Sequence, residues 1–272
     1  MHATGTPEWV SEISSAPAAP APGDAWALSW DGVHEGVVVI AQVHDDFILG
    51  IPVTTDTATS TEVTVELGTT NVALWPQAET GLGSFLLHRR LGNVLDDAQV
   101  REVRLWAAER ANLSTLISGS GSANANSLTE LLDEYRRRCF IEWPSETELI
   151  VDVDATGMNA RQFRDATGFD TPRVLELWGG DLLDEAELHS LGDNAHAWTM
   201  PAHDLITREL ATPELKPLIV ELCEAAGVSE RQARNTARSA YALAARTASV
   251  SERASTRAAD TLRVLIQDAH AS

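Results

Sequence analysis

A histidine and a glutamate stand side by side in the stretch DGVHEGVVVIAQV, at the mouth of a strongly apolar segment typical of a β-strand. His34 titrates near neutral pH and can act as a general acid or base, with Arg89 or Arg90 supplying positive charge from a later segment. His34 and Glu35 are also typical of a polar turn between strands, where exposed side chains satisfy backbone groups and carry no function. The sequence leaves both interpretations open and favours the turn.

A second group of polar side chains lies in the arginine-rich segment SERQARNTARSAYALAAR, near the carboxyl end. Arginine, glutamine and asparagine reach DNA phosphates and base edges, so this helix is predicted to contact nucleic acid, in duplex DNA through the major groove. A three-helix packing unit with a solvated arginine face explains the pattern equally well. The residues concerned are Arg231, Gln232, Arg234, Asn235 and Arg238.

The overall charge restricts any nucleic-acid site to a local one. The formal net charge is -20 at pH 7, so the chain as a whole repels polyanions. From Arg231 onward, however, seven arginines stand against three acidic residues. The carboxyl end is therefore locally positive.

Several classes of protein are disfavoured by composition and spacing. No segment approaches the roughly 18 consecutive apolar residues of a membrane-spanning helix, and no signal peptide is recognisable, so we expect a cytoplasmic protein without membrane contact. Cys139 and Cys223 are too few for a disulfide framework. His189, His196 and His203 lie close in sequence without metal-ligand spacing, so neither a metal nor a cofactor is expected.

The elements that position His34 and Glu35 belong to an amino-terminal domain. Residues 1–23 include the Pro/Ala stretch SSAPAAPAPGD and are predicted to form a disordered leader. From there to about Leu95, five or more short runs rich in Val, Ile, Thr and Trp predict a small β-barrel. The segment LDDAQVREVRLWAAER, capped by Asp96 or Asp97, predicts a helix that closes the barrel and completes a domain over residues 24–112.

The remainder of the chain is predicted to be mainly helical. Residues 113–127 are rich in serine and glycine and are predicted to be a linker. The helical domain covers residues 128–272 and begins with a helix capped by Ser127 and Glu130. The fold class is therefore α+β, a β-barrel followed by a mainly α-helical domain.

Two segments of this second domain have the rhythm of helix, glycine turn and helix. In RQFRDATGFDTPRVLELWGG, Gly168 makes the turn and Thr171 is the expected N-cap of the second helix. In LIVELCEAAGVSERQARNTARSAYALAAR, Gly227 makes the turn, and Ser229 with Gln232 caps the second helix. Both are predicted to be helix-turn-helix-like units.

The strand order and the segment LWPQAETGLGSFLLHRRLGNVLDDAQVREV resemble the MazF/PemK family of toxin endoribonucleases over about residues 24–112. Gly23-Asp24 at the opening of the first strand, GIPVTT at the end of the third and PQAET after a late strand carry the same similarity. The resemblance implies an SH3-like barrel that ends in a helix, a homodimer, and cleavage of single-stranded RNA.

The resemblance also assigns roles to particular residues. In that family a Gly-x-Arg-Pro turn places an arginine at the scissile phosphate, and a threonine or serine works beside it. Thr54 matches the threonine, and Gln77 matches the glutamine of the family's Gln-x-Arg-Thr segment. Glu35 stands where the first arginine belongs and Glu79 where the second does. A carboxylate facing a phosphodiester destabilises an anionic transition state, and losing an equivalent donor costs about two to three orders of magnitude in rate.

These departures predict a MazF/PemK-like protein of a toxin-antitoxin, defence or regulatory locus that is impaired for RNA cleavage and binds nucleic acid or a cognate protein. One alternative is an active single-strand endoribonuclease with Thr54, His34 and Gln77 in its site. A further alternative is a protein-binding module whose acidic surface imitates nucleic acid and occupies a basic partner.

Overall fold

The structure, a computed structural model, divides the chain into two compact units. We call them the sheet unit, Met1–Glu142 with Ala211–Val220, and the helical unit, Trp143–Leu210 with Glu221–Ser272. The described residues form an α+β fold, a curled antiparallel sheet followed by helices. None of the described helices is long and apolar enough to cross a membrane. The structure describes residues 3–14, 18–55, 63–108, 125–141, 149–245 and 254–271.

Seven described strands of the sheet unit form one sheet in the order β4-β5-β3-β2-β1-β7, and β6 pairs with β3 beside β5. The runs that predicted strands all form them, because β-branched and aromatic residues suit a pleated, buried surface. Their bounds are β1 Asp24–Trp30, β2 Val33–Val43, β3 Phe47–Thr54, β4 Val63–Leu67, β5 Thr70–Leu74, β6 Thr80–Gly83 and β7 Leu87–Asn93.

Both faces of this sheet are buried. Successive side chains of a strand point to opposite faces, and in β2 Val37 and Val39 belong to one apolar cluster while Val38 and Ile40 belong to another. A strand that is apolar at every position therefore needs cover on both sides. The described helices that supply the cover are α1 Glu8–Glu12, α2 Asp97–Ala107 and α3 Ala125–Cys139.

The first cluster is covered by α1 and α2. Val10 of α1 and Val103 of α2 are both fully buried in it. Asp96, one of the two caps that the sequence offered, caps α2, and it does so in a capping box with Gln99. The prediction of a disordered leader over 1–23 is wrong for the described part, because the apolar side chain of Val10 anchors α1 on the sheet and Thr4 bridges to Val33 of β2.

The second cluster is covered by α3, through the buried Leu131 and Tyr135. The sequence placed this helix at the start of the second domain, after a linker over 113–127. It belongs instead to the sheet unit and begins at Ala125, because its apolar stripe packs on the second face of the sheet. Linker residues 113–124 lie outside the described part of the chain.

The helical unit is built from short helices and, among its described residues, one two-stranded sheet of β8 Leu149–Val151 with β9 Thr199–Pro201. Gly168 and Gly227 have positive φ of 77° and 65° and make the two predicted glycine turns. The described helices are α4 Val153–Thr156, α5 Ala160–Thr167, α6 Thr171–Trp178, α7 Glu185–Leu191, α8 Ala195–Trp198, α9 Ala202–Ala211, α10 Lys216–Ala226, α11 Glu230–Ala245 and α12 Ala254–Ala271. Of these, α9 and α10 each have residues in both units.

Each glycine turn is followed by a helix whose N-cap was predicted. The prediction is confirmed for α11 and wrong for α6. Ser229 and Gln232 form the predicted capping box at the start of α11, with Ser229 N–H donating to Gln232 Oε1 at 3.1 Å. The N-cap of α6 is Asp170 and not Thr171, because the Asp170 carboxylate accepts the Arg173 backbone N–H at 2.8 Å.

Candidate functional site

Residues 34–36 lie in a strand and not in the turn that the sequence favoured. The turn is made one step earlier by Asp31 and Gly32, whose φ values of 48° and 72° suit a tight hairpin connection. Ser29 of β1 pairs with His34, and Leu28 pairs with Gly36, so Glu35 is the extra residue of a β-bulge. A bulge redirects a side chain out of the regular pleat, and here it redirects Glu35.

Glu35 forms an ion pair with an arginine of α3. Arg138 Nε lies 3.3 Å from Glu35 Oε2, and Arg138 Nη2 lies 2.6 Å from Glu134 Oε1 one helical turn away. The Arg138 side chain is only 9% exposed and that of Glu35 is 25% exposed, so the guanidinium is largely desolvated. Its remaining nitrogen, Nη1, is buried and has no hydrogen-bond partner among the described residues. A cation therefore does reach position 35, and it comes from α3.

Tyr135 fixes α3 to the same strand. Its hydroxyl donates to the Val37 carbonyl at 2.9 Å, and the Arg138 guanidinium lies over its ring at 4.2 Å from the centroid. Burial raises the pKa of Tyr135 well above its usual value, so it is a neutral donor at any physiological pH. Gly36 makes this approach feasible, because its φ is 123° and a Cβ there would lie 2.8 Å from the Tyr135 hydroxyl oxygen.

His34 is half-buried beside this ion pair. Burial, and secondarily the positive charge of Arg138, lower the pKa of His34 below its ordinary value of 6.5. Its imidazole is therefore neutral at pH 7. The His34 backbone N–H donates to the Thr4 carbonyl at 2.9 Å, so the amino-terminal segment runs directly beside this residue.

Thr54 ends β3, one position beyond the paired residues Val37 and Val53, and so comes to the same end of β2 as Gly36. Its hydroxyl oxygen accepts a hydrogen bond from Trp75 Nε1 at 3.0 Å. The hydroxyl is thus held as an acceptor, while its proton stays available for donation.

Gln77 shares no hydrogen bond with the described residues around Glu35 and Thr54. It is exposed in a short 3-10 helix, Pro76–Ala78, and its side chain makes no hydrogen bond within the described residues. Glu79, where the family has its second arginine, is paired with Arg104 of α2 at 2.9 Å. Glu35 and Glu79 thus each have an arginine partner from a helix.

Arg89 and Arg90, the residues that the sequence offered as substitute cations, have other partners. Arg90 makes two hydrogen bonds to the buried carboxylate of Asp24, at 2.9 and 2.7 Å. Arg89 donates to the carbonyls of Ser11 and Ile13 and so holds the segment after α1.

The arginine-rich helix α11 has one buried and one exposed face. Arg231 and Gln232 are exposed and Asn235 and Arg238 are half-buried. Arg234, in contrast, is 1% exposed and pairs with Glu230, equally buried, at 2.7 Å, and it also donates to the Leu210 carbonyl. The expectation that Arg234 contacts nucleic acid is therefore wrong, because its guanidinium lies in the interior of the helical unit.

Sequence reasoning missed the two residues that define the site, Tyr135 and Arg138. Tyr135 was assigned only to an apolar helix stripe, and Arg138 is one of three consecutive arginines, 136 to 138. The available signal was the i, i+3 spacing of the two, which places Arg138 on the buried side of α3. Within the described residues no group of His, Cys, Asp or Glu side chains is arranged to hold a metal ion.

The chain matches no protein-family model, no curated protein and no solved structure.

Proposed function

We propose that the chain is a MazF/PemK-like regulator of a toxin-antitoxin, defence or related locus, in which an SH3-like sheet unit does not cleave RNA and the helical unit binds nucleic acid or a cognate protein. The observation that carries the first half is the ion pair between Glu35 and Arg138. It gives the acidic residue at the family's catalytic position a structural role, the docking of α3.

Three features of the site support the absence of cleavage. The hydroxyl of Tyr135 and the guanidinium of Arg138 occupy the space beside residues 35–37 that a phosphodiester needs. Two carboxylates, Glu35 and Glu134, already neutralise Arg138, so little positive charge is left for an anionic transition state. His34 is half-buried and its pKa is lowered, which removes the cationic acid that a substitute mechanism would use.

The test is an RNA cleavage assay with purified full-length protein and single-stranded transcripts. We expect no cleavage above background for the wild type, and the same for Thr54→Ala and for Arg138→Met. Cleavage by the wild type that falls by about two orders of magnitude in Thr54→Ala, the size of effect seen for a lost transition-state donor, overturns the proposal.

One observation favours the rival function, an active endoribonuclease with Thr54, His34 and Gln77. Arg138 does bring a guanidinium to position 35, and its Nη1 has no hydrogen-bond partner in the described part of the chain. In that case Arg138→Met abolishes cleavage together with Thr54→Ala, whereas Arg136→Met, on the exposed side of the same helix, leaves it unchanged.

For the second half of the proposal, α10 and α11 form the helix-turn-helix-like unit. Because Arg234 is buried, four of the five predicted DNA-contacting side chains remain assigned to duplex DNA: Arg231, Gln232, Asn235 and Arg238. Ser229 and Gln232 hold the start of α11, so its first turn is a fixed platform for these contacts. A homodimer, which the resemblance implies, presents this surface twice.

A mobility-shift assay with duplex DNA over a salt series tests this surface. We expect Arg231→Ala to weaken binding roughly tenfold and to reduce the salt slope by about one, as for a lost phosphate contact. The matched control is Arg161→Ala, an exposed arginine on α5 of the same unit, which should leave binding unchanged. Absence of binding to DNA and RNA at physiological salt supports the acidic protein-binding module instead.

A further inference from the structure

We propose that the sheet unit has a binding site for a small organic anion, in a groove between α2 and the end of β2, independent of the function proposed above. The groove has a volume of about 530 Å³, within the range of roughly 300–1,000 Å³ that is usual for small-molecule sites. Its lining includes Ala41 and Gln42 of β2 and Asp97, Arg101, Arg104 and Leu105 of α2.

The spacing of the α2 residues explains why they share one wall. Positions 97, 101, 104, 105 and 108 recur at three- and four-residue intervals and so lie along one side of a helix. This side is distinct from the stripe of Val103, which is fully buried in the sheet core. The helix therefore has a second, unburied side that faces β2 across the groove.

Two arginines of α2 line the groove. Arg101 is exposed and forms no ion pair among the described residues. Arg104 is held in place by Glu79, with Nε 2.9 Å from Oε2 and Nη2 3.0 Å from Oε1. Its third nitrogen, Nη1, lies 3.4 Å from Gln42 Oε1, at the groove. Two guanidiniums thus stand one helical turn apart, and one of them is held in place before any ligand arrives.

The rest of the groove is apolar. Ala41 and Val100 are buried and line it, while Leu105 is a large apolar side chain that is 41% exposed. Two arginines one helical turn apart therefore lie beside an exposed leucine. This combination suits a ligand with an anionic head and an apolar body, because guanidiniums bind carboxylates and phosphates in a bidentate manner.

Asp97 also lines the groove, one turn before Arg101, and its negative charge opposes an anionic head there. Two guanidiniums stand against this one carboxylate among the lining residues, so the head is assigned to Arg101 and Arg104 and the apolar body to Leu105 and Ala108. Carboxylate and phosphate heads share this chemistry, and the experiment separates them.

The experiment is a titration of ¹⁵N-labelled full-length protein followed by amide chemical shifts. The probes are octanoate, octyl phosphate, octanol and inorganic phosphate. We expect octanoate or octyl phosphate to shift the signals of Gln42 and Ala108 saturably, and the tighter of the two identifies the head group. Octanol and inorganic phosphate should each bind at least tenfold more weakly, since each lacks one half of the ligand.

Three variants complete the test. Arg101→Gln should weaken binding of the anionic probe roughly tenfold, the effect of one charge-assisted contact. Leu105→Ser should weaken it several-fold without changing the affinity for inorganic phosphate. Both changes are at exposed positions and leave the core intact. Arg161→Gln, an exposed arginine of the helical unit, should have no effect.

Three outcomes overturn the proposal: no saturable shift with either anionic probe, octanol binding as tightly as octanoate, or Arg101→Gln binding as wild type. Failure of the RNA or DNA assays has no bearing on this result, because the groove shares no residue with the surfaces tested there.

Discussion

At the scale of single residues, the position of Glu35 is explained by what the glutamate contacts. Glu35 is the extra residue of a β-bulge, and Arg138 of α3 meets it there. A buried pair of this kind contributes little net stability, but removing one partner strands the other charge. The ion pair therefore ties the identity of residue 35 to that of residue 138.

Gly36 provides the most specific test of how α3 is held. Gly36→Ala places a Cβ 2.8 Å from the Tyr135 hydroxyl and strains a φ of 123°, so we expect a loss of about 2–4 kcal/mol in the free energy of unfolding. The control is Gly92→Ala, where φ is 140° but nothing lies within 4 Å, and which should cost only the strain, about 1 kcal/mol. Equal losses in urea unfolding would refute the close contact.

His34 predicts a pH dependence of stability. Its folded pKa is lowered, first by burial and then by Arg138, so the unfolded chain binds the proton more readily than the folded one. The contribution of His34 to the free energy of unfolding is therefore fully present above the unfolded pKa of about 6.5. It falls as the pH drops through that value. His34→Gln should reduce the difference between urea midpoints measured at pH 7.5 and pH 5.5. An unchanged difference would show that His34 is not the group responsible.

At the scale of elements, the strands and the α2 cap were readable from the sequence, and the position of α3 was not. Strand runs such as GVVVIAQV and the Asp96 cap depend on local patterns. The cover that α3 provides for the second face depends on contacts between residues about 100 positions apart, such as Val37 with Tyr135. That β2 is apolar at consecutive positions was the local sign that its second face had to be covered.

The same limit applies to α11. An arginine face was predicted, but Arg234 turned out to lie on the stripe of Ala233 and Ala237, both fully buried. Its i, i+4 partner Glu230 is visible in the sequence, yet the pair resembles an ordinary surface pair until the burial of both residues is known.

The buried pair in α11 gives a prediction at this scale. Arg234→Leu leaves the buried Glu230 carboxylate without its guanidinium, so we expect α11 to lose about 3 kcal/mol of protection in native-state hydrogen exchange. Arg231→Leu, at an exposed neighbouring position, should change protection by less than about 0.5 kcal/mol. Similar effects of the two changes would place Arg234 at the surface and return it to the residues proposed to contact DNA.

At the scale of the whole molecule, the chain holds a single lysine, and it is buried. Lys216 is 1% exposed, and its ammonium donates to the carbonyls of Ser29 and Phe85 at 3.0 and 3.1 Å within the sheet unit. Trp30 lies beneath it at 5.7 Å from the ring centroid. In the sequence, Lys216 is the single lysine, and no local pattern predicts that Ser29, Phe85 and Trp30 are its partners.

An amine-reactive ester should therefore label only the α-amino group of the folded protein. We expect Lys216 to become labelled only when the protein is unfolded, with a urea dependence that follows the sheet unit's unfolding transition. Peptide mapping by mass spectrometry after a short pulse of reagent measures this. Rapid labelling of Lys216 in native buffer would contradict its burial.

Because Ala211–Val220 completes the sheet unit, the amino-terminal strands leave the ribosome long before the segment that carries the single lysine. At typical elongation rates of about 5–20 residues per second, the newly made strands wait several seconds for it. Nascent chains that end before residue 211 lack the Lys216 hydrogen bonds that join β1 to the segment before β7. Premature termination there therefore leaves an incomplete sheet unit, which proteases can remove.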